Sequence, residues 1–311
     1  MATINFTGTG GIIEGNLGPS NVNVNLDPVY GNFNGTTSSL SSTSNGFDSL
    51  WDSAGGCIAV WMYPKSDGEG DYGRIGQKGW EFNLREESSG FVKVQFYHGF
   101  STTAGNWKTT NAAVALNAWN HLALFYDSDA TGNDPVIYVN GVSQAITETS
   151  TPAGTRTDDA AQTLYIGNNN TGARTFDGYI MDIKIYKNTA WTQAEVAVLA
   201  SKINVDKEHP GLPAPGPRLY LWWKGNASTG TDSSGSGNNL TPSNLGSVVY
   251  DAFSVDVYDN STTTDGSFTV TQGKVEGLSL SSPDFDGSAD YIEKDSISGM
   301  PQTKRNCCFL V

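Results

Sequence analysis

Two polar loops carry closely spaced carboxylates, and this pattern is the ligand chemistry of calcium. Hard cations such as Ca²⁺ take carboxylate and carbonyl oxygens as ligands. Neither loop has the glutamate that an EF-hand needs at its last position, where the chain has Lys78 and Tyr138. A solvated hairpin loop explains the same residues, so both interpretations stay open. The candidate ligands are Asp67, Glu69, Asp71, Asp127, Asp129 and Asp134.

Aromatic residues near the ends of predicted strands indicate a second chemistry, the binding of sugars. A pyranose ring stacks on an aromatic face while nearby amides and hydroxyls bind its polar groups. Trp107 lies in the polar stretch 103–108, where an exposed position and a core position are both consistent with the sequence. The candidate ligand-binding residues are Trp107, Trp80, Tyr72 and Tyr97.

Residues for nucleophilic catalysis are scarce. The three histidines are His98, His121 and His209, and the last of these lies in a proline-rich segment. No glycine-rich loop has the spacing of a phosphate-binding P-loop. A core or surface role fits these histidines better than a Ser-His-Asp triad, so the sequence predicts a protein that is not an enzyme.

Composition and charge exclude several classes of partner. The 311 residues include 18 Lys and Arg against 32 Asp and Glu, so the net charge is −14, and such an acidic surface repels nucleic acid and anionic lipid. No apolar run is long enough for a transmembrane helix, and the N-terminus lacks the pattern of a secretory signal. Three cysteines cannot form a disulfide framework. We expect synthesis in a host cytoplasm and an extracellular existence once the protein is released.

The elements that must position these residues are mostly strands. Apolar and alternating runs separated by Gly, Asn, Asp and Ser predict an all-β, antiparallel sandwich or jelly roll. Asn140-Gly141 after the run 136–139 is a strong hairpin signal. One helix is predicted over 192–203, where Thr192 and Glu195 have the spacing of a capping box. The predicted strand runs are 57–63, 91–97, 119–126, 136–139, 163–167 and 178–186.

Proline content divides the chain. Four prolines in 209–217 indicate a linker, so we predict a first domain over 1–205 with its core over about 30–205, a linker over 206–217 and a second unit over 218–311. Residues 285–288 echo 33–36, and Cys308–Val311 echoes Cys57–Val60. The second unit therefore reads as an incomplete copy of the first, one that needs another chain or further strands to cover its edges.

Several short motifs occur in a family order. They are Phe33-Asn34-Gly35, Trp61-Met62-Tyr63-Pro64, Arg74 to Gly79, Trp119 to Ala123, Ile137 to Gly141, Leu164 to Gly167 and Phe176 to Tyr186, followed by the helix with Glu195 and Leu199. Together they resemble the laminin G-like, concanavalin A-like jelly-roll family, of the kind found in phage and viral structural proteins. The resemblance implies that Trp61, Trp119 and Trp191 are core residues and that calcium is a frequent ligand.

The resemblance also frames the functional alternatives. Some relatives are glycosidases with a Glu-x-Asp-x-x-Glu run, which is missing here, because Glu81 is isolated and Asp182-Ile183-Lys184 does not supply it. The leading hypothesis is a non-catalytic virion module, in a phage fibre, tail or capsid surface, that recognises a glycan or host surface and contacts other virion proteins or identical subunits. An exported cell-surface adhesin is the alternative, and a polysaccharide-active enzyme is the third.

Overall fold

The structure is a computed structural model. It describes residues 30–52, 54–203, 205, 209–212, 218–225 and 228–246 with their side chains, and further strands at 12–17, 20–25, 253–258, 264–271, 274–276 and 292–293 by their backbone. The chain divides into two compact units, Pro28–Val248 and a smaller unit made of Met1–Asp27 and Val249–Val311.

In chain order the strands are β1 (Ile12–Leu17), β2 (Ser20–Asn25), β3 (Gly31–Asn34), β4 (Ser39–Ser42), β5 (Gly56–Pro64), β6 (Arg74–Gln77), β7 (Trp80–Ser88), β8 (Phe91–His98), β9 (Gly105–Thr109), β10 (Val114–Ala115), β11 (Asn120–Tyr126), β12 (Val136–Val139), β13 (Val142–Ser143), β14 (Ile146–Ser150), β15 (Leu164–Ile166), β16 (Asp177–Lys187), β17 (Leu219–Trp223), β18 (Thr241–Ser243), β19 (Phe253–Tyr258), β20 (Thr264–Thr271), β21 (Lys274–Glu276) and β22 (Ile292–Glu293). The α-helix described is α1 (Gln193–Ser201).

The larger unit is a sandwich of two antiparallel sheets, as the sequence predicted. The nine-stranded sheet has the order β14-β9-β8-β7-β6-β15-β4-β18, with β10 beside β8. The seven-stranded sheet has the order β13-β12-β11-β5-β16-β17, with β3 beside β16. Aromatic and aliphatic side chains from both inner faces fill one continuous core between the sheets.

Helix α1 covers part of the outer face of the seven-stranded sheet. Its cap is the predicted capping box, because Thr192 accepts from the Glu195 backbone while the Glu195 carboxylate accepts from the Thr192 backbone. Val196 and Leu199 pack against a second apolar cluster on that face. Helix α1 is short, so it covers only the strand segments directly beneath it. The rest of the outer face of the seven-stranded sheet is not covered by the helix.

The predicted hairpin at Asn140-Gly141 is confirmed. Asn140 has a φ of 51° and Gly141 a φ of 80°, and β12 pairs with β13 directly across this turn. Positive φ at both turn positions follows the twist of the two strands.

The domain boundary differs from the prediction. Strand β17 pairs with β16, and β18 pairs with β4, so both belong to the sandwich that precedes the prolines. Leu221, Trp223 and Leu240 are buried in its core. The segment 206–217 thus interrupts regular structure without ending the domain, because proline blocks a helix or a central strand but does not determine which strands pair on either side.

The smaller unit is described only by its strands. It contains the hairpin β1-β2 and a four-stranded antiparallel sheet of order β21-β20-β19-β22. The segment Cys308–Val311, which was predicted to correspond to Cys57–Val60, lies outside the described residues. The incomplete second jelly roll therefore stays a prediction for residues after 248.

In the described part of the chain, helix α1 is too short to cross a membrane, and no other helix there is long and apolar enough to do so.

Two buried histidines make the stability of the sandwich depend on pH. Burial lowers the pKa of His98 to about 4, and burial together with the Lys184 charge lowers the pKa of His121 to about 3. Both side chains are neutral in the fold and gain protons on unfolding below their ordinary value of 6.5. Their stabilisation is therefore complete above that pH and is lost as the pH falls towards 4, by up to about 1.4 kcal/mol per pH unit for each histidine.

Urea unfolding between pH 7.5 and pH 4.5 measures this dependence. His98→Gln and His121→Gln should each flatten the slope, while His209→Gln should leave it unchanged. An equal slope in all four proteins would contradict the assignment.

Candidate functional site

Two of the four predicted ligand-binding aromatics are core residues, which corrects the prediction. Trp80 and Trp107 are 1% and 0% exposed. Trp107 stacks with Phe96 at 6.1 Å between ring centroids, and its indole Nε1 donates to Asp134 at 2.7 Å. In strand β9 Asn106 and Lys108 face outward, while Gly105, Trp107 and Thr109 face inward. The strand therefore alternates in the ordinary way, although most of its residues are polar.

The other two aromatics lie on the outside of the nine-stranded sheet. Tyr97 is half-buried on β8 between the inward-facing Phe96 and His98. Tyr72 precedes β6, and the Arg85 guanidinium carbon lies 3.8 Å from the centroid of its ring. These two tyrosines border one surface, which is built mainly by β7, β8 and β9.

We call this surface the polar face. Its members alternate with core residues such as Phe82, Leu84, Val94 and Phe96, so they point away from the core. Their strands are in register, which places Asn83 opposite Gln95, and Arg85 opposite Lys93. The polar face consists of Glu81, Asn83, Arg85, Lys93, Gln95, Tyr97, Asn106 and Lys108.

Asn83 lies at the centre of the polar face. The residue is 0% exposed, and neither its Oδ1 nor its Nδ2 has a hydrogen-bond partner among the described residues. Its direct cross-strand neighbours are Arg74 on one side and Gln95 on the other. A buried amide without partners costs roughly 1–3 kcal/mol per polar group, so Asn83 lowers the stability of the free protein and indicates a use other than stability.

Hydrogen bonds hold the surrounding side chains in place. The Gln95 amide nitrogen donates to Asn106 Oδ1 at 2.5 Å, and its Oε1 accepts from Arg85 Nη1 at 2.8 Å. Arg74 donates to Gln77, and its ion pair with Glu81 spans 2.7 Å. The polar face is therefore an ordered array of donors and acceptors.

One carboxylate beside the polar face pairs with two of its lysines. Glu86 lies 2.7 Å from Lys108 and 2.9 Å from Lys93. The hydrogen bonds from these two ammonium groups lower the pKa of Glu86 to about 2. Glu86 is thus ionised at any neutral or mildly acidic pH.

The predicted calcium ligands do not come together. Among the described residues, no group of three or more His, Cys, Asp or Glu side chains is arranged to hold a metal ion. Glu69 accepts from the Thr175 backbone, Asp127 from the Asp129 backbone, and Asp134 from Trp107. Asp71 is exposed, whereas Asp67 is buried. The loop 127–134 is the hairpin connection between the paired strands β11 and β12, while the loop 67–71 crosses from β5 in one sheet to β6 in the other. Neither loop fits a calcium cage.

A second surface, which we call the aromatic face, lies on the uncovered outer part of the seven-stranded sheet. Tyr63 and Tyr179 pair across β5 and β16 with ring centroids 5.5 Å apart, and Trp119 lies 5.8 Å from Tyr63. Lys65 lies over the Tyr179 ring at 4.6 Å. The aromatic face consists of Tyr30, Trp61, Tyr63, Trp119 and Tyr179, all half-buried.

The aromatic face corrects another expectation. Trp61 and Trp119 were expected in the core, but both lie outside it, and only Trp191 is buried as expected. The run 57–63 is apolar at every position, so it has no alternation that tells its two faces apart.

The candidate catalytic residues have structural partners. Glu81 is paired with Arg74, and Asp182 is paired with Lys184 at 2.5 Å and accepts from Trp222 Nε1 at 2.7 Å. The His121 ring packs edge-on against Trp61 at 5.5 Å between centroids. None of these groups is held beside a nucleophile in the described residues.

Two adjoining cavities lie at one edge of the sandwich. Their volumes are about 220 and about 280 Å³, and both are lined by Ser128 and Arg156. The Arg156 guanidinium donates a hydrogen bond to the Asp52 carboxylate. His98 also lines the first cavity. They contain polar loop atoms and lack the aligned amides of the polar face.

The fold and these surfaces define a class of protein. The sequence profile of the Concanavalin A-like lectin/glucanases superfamily, in its laminin G form, matches residues 34–197, more than half of the chain. The chain belongs to this family, as the sequence predicted. A search of the curated proteins finds no match.

Several solved structures are distantly similar to this chain. A candidate carbohydrate-binding protein from Bacteroides ovatus is 20% identical with a TM-score of 0.49, and the match covers 71% of this chain and 60% of that one. A heptameric SAP-like pentraxin from Limulus polyphemus is 13% identical with a TM-score of 0.44, covering 65% and 94%. Tailspike protein 2 of an Escherichia coli O157:H7 bacteriophage is 12% identical with a TM-score of 0.40, covering 71% and 30%.

Proposed function

We propose that the sandwich is a non-catalytic carbohydrate-binding module and that the polar face is its binding surface. The observation that carries the proposal is Asn83, a fully buried amide at the centre of an ordered polar array. A saccharide that displaces the side chains above Asn83 would supply the hydrogen bonds that the amide needs. Binding would then regain a desolvation cost that the free protein already bears.

The chemistry of the polar face suits sugars. Gln95 and Asn106 each offer a planar amide with donors and acceptors, which matches the paired hydroxyls of a pyranose ring. Tyr97 supplies a half-buried ring beside them, and Tyr72 supplies another at the border. Aromatic surface together with a few fixed polar groups is the usual composition of a small-ligand site.

The carboxylates on and beside the polar face favour binding over glycoside cleavage. A glycosidase needs a carboxylic acid with a raised pKa beside a second carboxylate. Glu86 has the opposite perturbation, since two lysines lower its pKa to about 2. The Glu81 carboxylate forms an ion pair with the Arg74 guanidinium. We therefore expect no release of reducing sugar from polysaccharides.

Substitution of Asn83 tests the proposal. Asn83→Leu removes the buried amide and keeps a similar volume, so the melting temperature of the free protein should stay the same or rise by a few degrees. Saccharide binding should weaken about tenfold or more, since the central hydrogen-bonding group is lost. A glycan array followed by calorimetric titration measures both quantities on the full chain.

Two control variants separate the polar face from other surfaces. Asn111→Leu changes an exposed asparagine in the loop after β9 and should alter neither stability nor binding. Trp119→Ala removes one ring of the aromatic face and should leave the saccharide affinity within about twofold of that of the unchanged protein. Loss of binding in Trp119→Ala with retention in Asn83→Leu would overturn the polar face as the site.

We further propose that the module acts on a virion, in a fibre, tail or capsid-surface protein that attaches to host glycans. The polar, weakly charged composition and the net charge of −14 support an extracellular surface role. An exported adhesin is the alternative. Detection of the chain in purified particles, beside other virion proteins or as repeated identical subunits, tests this placement.

A further inference from the structure

We infer that the saccharide bound by the polar face carries a carboxylate, as uronic and sialic acids do. This inference rests on the proposed function of the polar face. The positive charges and the unpaired arginine donor of that surface indicate this class of ligand.

The polar face concentrates cations in an acidic protein. Arg85, Lys93 and Lys108 belong to it, and Arg74 adjoins it across from Asn83. Among the described residues, the carboxylates that form ion pairs with these cations are Glu81 and Glu86. Four cations and two carboxylates give a local charge of 4 − 2 = +2, whereas the whole chain carries −14. A local excess of positive charge attracts an anionic ligand and disfavours a cationic one.

Arg85 offers the geometry that a carboxylate recognises. Its guanidinium is held against the Tyr72 ring at 3.8 Å, and its Nη1 donates to Gln95. In the described part of the chain its buried Nε has no hydrogen-bond partner. Because this Nε is shielded from solvent in the free protein, a carboxylate would have to displace the side chains that cover it. Bound along the Nε–Nη2 edge, the carboxylate would then accept two parallel hydrogen bonds, the favoured arrangement for arginine and carboxylate.

The two lysines extend this charge. Lys93 lies directly opposite Arg85 in the sheet, and Lys108 lies opposite Gln95. Their side chains are 23% and 26% exposed and share the single carboxylate of Glu86. Each ammonium has three donors, so both retain donors for a ligand beside Arg85.

Matched saccharide pairs test the inference on the full chain. Trigalacturonate and its methyl ester have the same sugar backbone, but the ester replaces each charged carboxylate by a neutral methyl ester, and 3′-sialyllactose and lactose differ in a terminal sialic acid. We expect the acidic member of at least one pair to bind about tenfold tighter than its neutral counterpart at low salt. The ratio of the two affinities should fall towards one in 1 M NaCl, because salt at this concentration screens the attraction between charges beyond a few ångströms. The pair that shows the preference distinguishes a uronate chain from a sialic acid terminus.

Variants locate the preference. Arg85→Met should abolish it, and Arg85→Lys should restore only part of it, because an ammonium lacks the planar fork. Glu86→Gln should increase it, since the local charge rises while an oxygen acceptor for the lysines remains. Lys202→Met removes an exposed charge just after α1, on the other sheet, and should have no effect.

The outcomes separate the two proposals. Equal binding of acidic and neutral members, or preservation of the preference in Arg85→Met, overturns the acidic ligand but leaves the carbohydrate-binding function standing. If no saccharide on the array binds, both the carbohydrate-binding function and the acidic ligand are overturned. Tighter binding to single-stranded DNA than to every acidic saccharide would show a general anion surface and would also overturn the inference.

Discussion

A chain that ends at residue 205 is expected to lose cooperative folding. It lacks β17, which pairs with β16 over four positions of the seven-stranded sheet, and β18, which pairs with β4 at the edge of the nine-stranded sheet. Each large apolar side chain contributes roughly 1.5–3 kcal/mol when it is buried. The loss of five such side chains approaches the whole stability of a domain, about 5–15 kcal/mol. Those buried side chains are Leu219, Leu221, Trp222, Trp223 and Leu240.

The matched comparison is a chain that spans residues 28–248. It keeps all the strands of the sandwich, and we expect a single sharp melting transition together with dispersed amide resonances. The shorter chain should show neither and should bind a dye that reports exposed apolar surface. A cooperative melt of the chain ending at 205 would show instead that the proline-rich segment is a true domain boundary.

Lys184→Met is expected to destabilise the sandwich by about 3–5 kcal/mol. Lys184 and Asp182 are 1% and 4% exposed, and they form an ion pair at the bulge in β16, where Asp182 has a φ of 49°. Removal of the ammonium leaves a buried carboxylate that the Trp222 indole still contacts but that has lost its compensating charge. Equilibrium unfolding in urea, with coincident fluorescence and circular dichroism transitions, gives the change.

Two controls isolate the charge from the packing. Lys224→Met removes a more exposed lysine that also lies over Trp222, at 4.3 Å, and should cost less than about 1 kcal/mol. The double variant Asp182→Asn with Lys184→Met leaves no buried charge and should be more stable than Lys184→Met alone. A double variant as unstable as the single one would assign the loss to side-chain packing.

Local patterns were sufficient for most strands and for the helix. In 91–97 the apolar residues alternate, and the structure places Val92, Val94 and Phe96 in the core. Thr192 and Glu195 lie three residues apart, which is the distance that lets each bond the other's backbone. Such features depend on neighbours in sequence, so the amino-acid order determines them directly.

The side of the sheet on which an aromatic side chain lies was harder to predict. Trp80 could have been assigned to the core, because it alternates with Phe82 and Leu84. Trp61 could not have been placed outside, because its strand is apolar on both faces and helix α1 covers only part of one. Which part stays open depends on where a distant helix packs, and no local pattern carries that information.

The sequence by itself determined an antiparallel sandwich of the concanavalin A-like family, its capped helix and its tight hairpin. Only the tertiary structure decided that β17 and β18 close the same sandwich, that Asn83 is buried among polar side chains, and that Arg85 lies beside Lys93. The physical reason is register. Strand pairing brings together residues far apart in the chain, and a shift of one residue would turn every side chain to the other face.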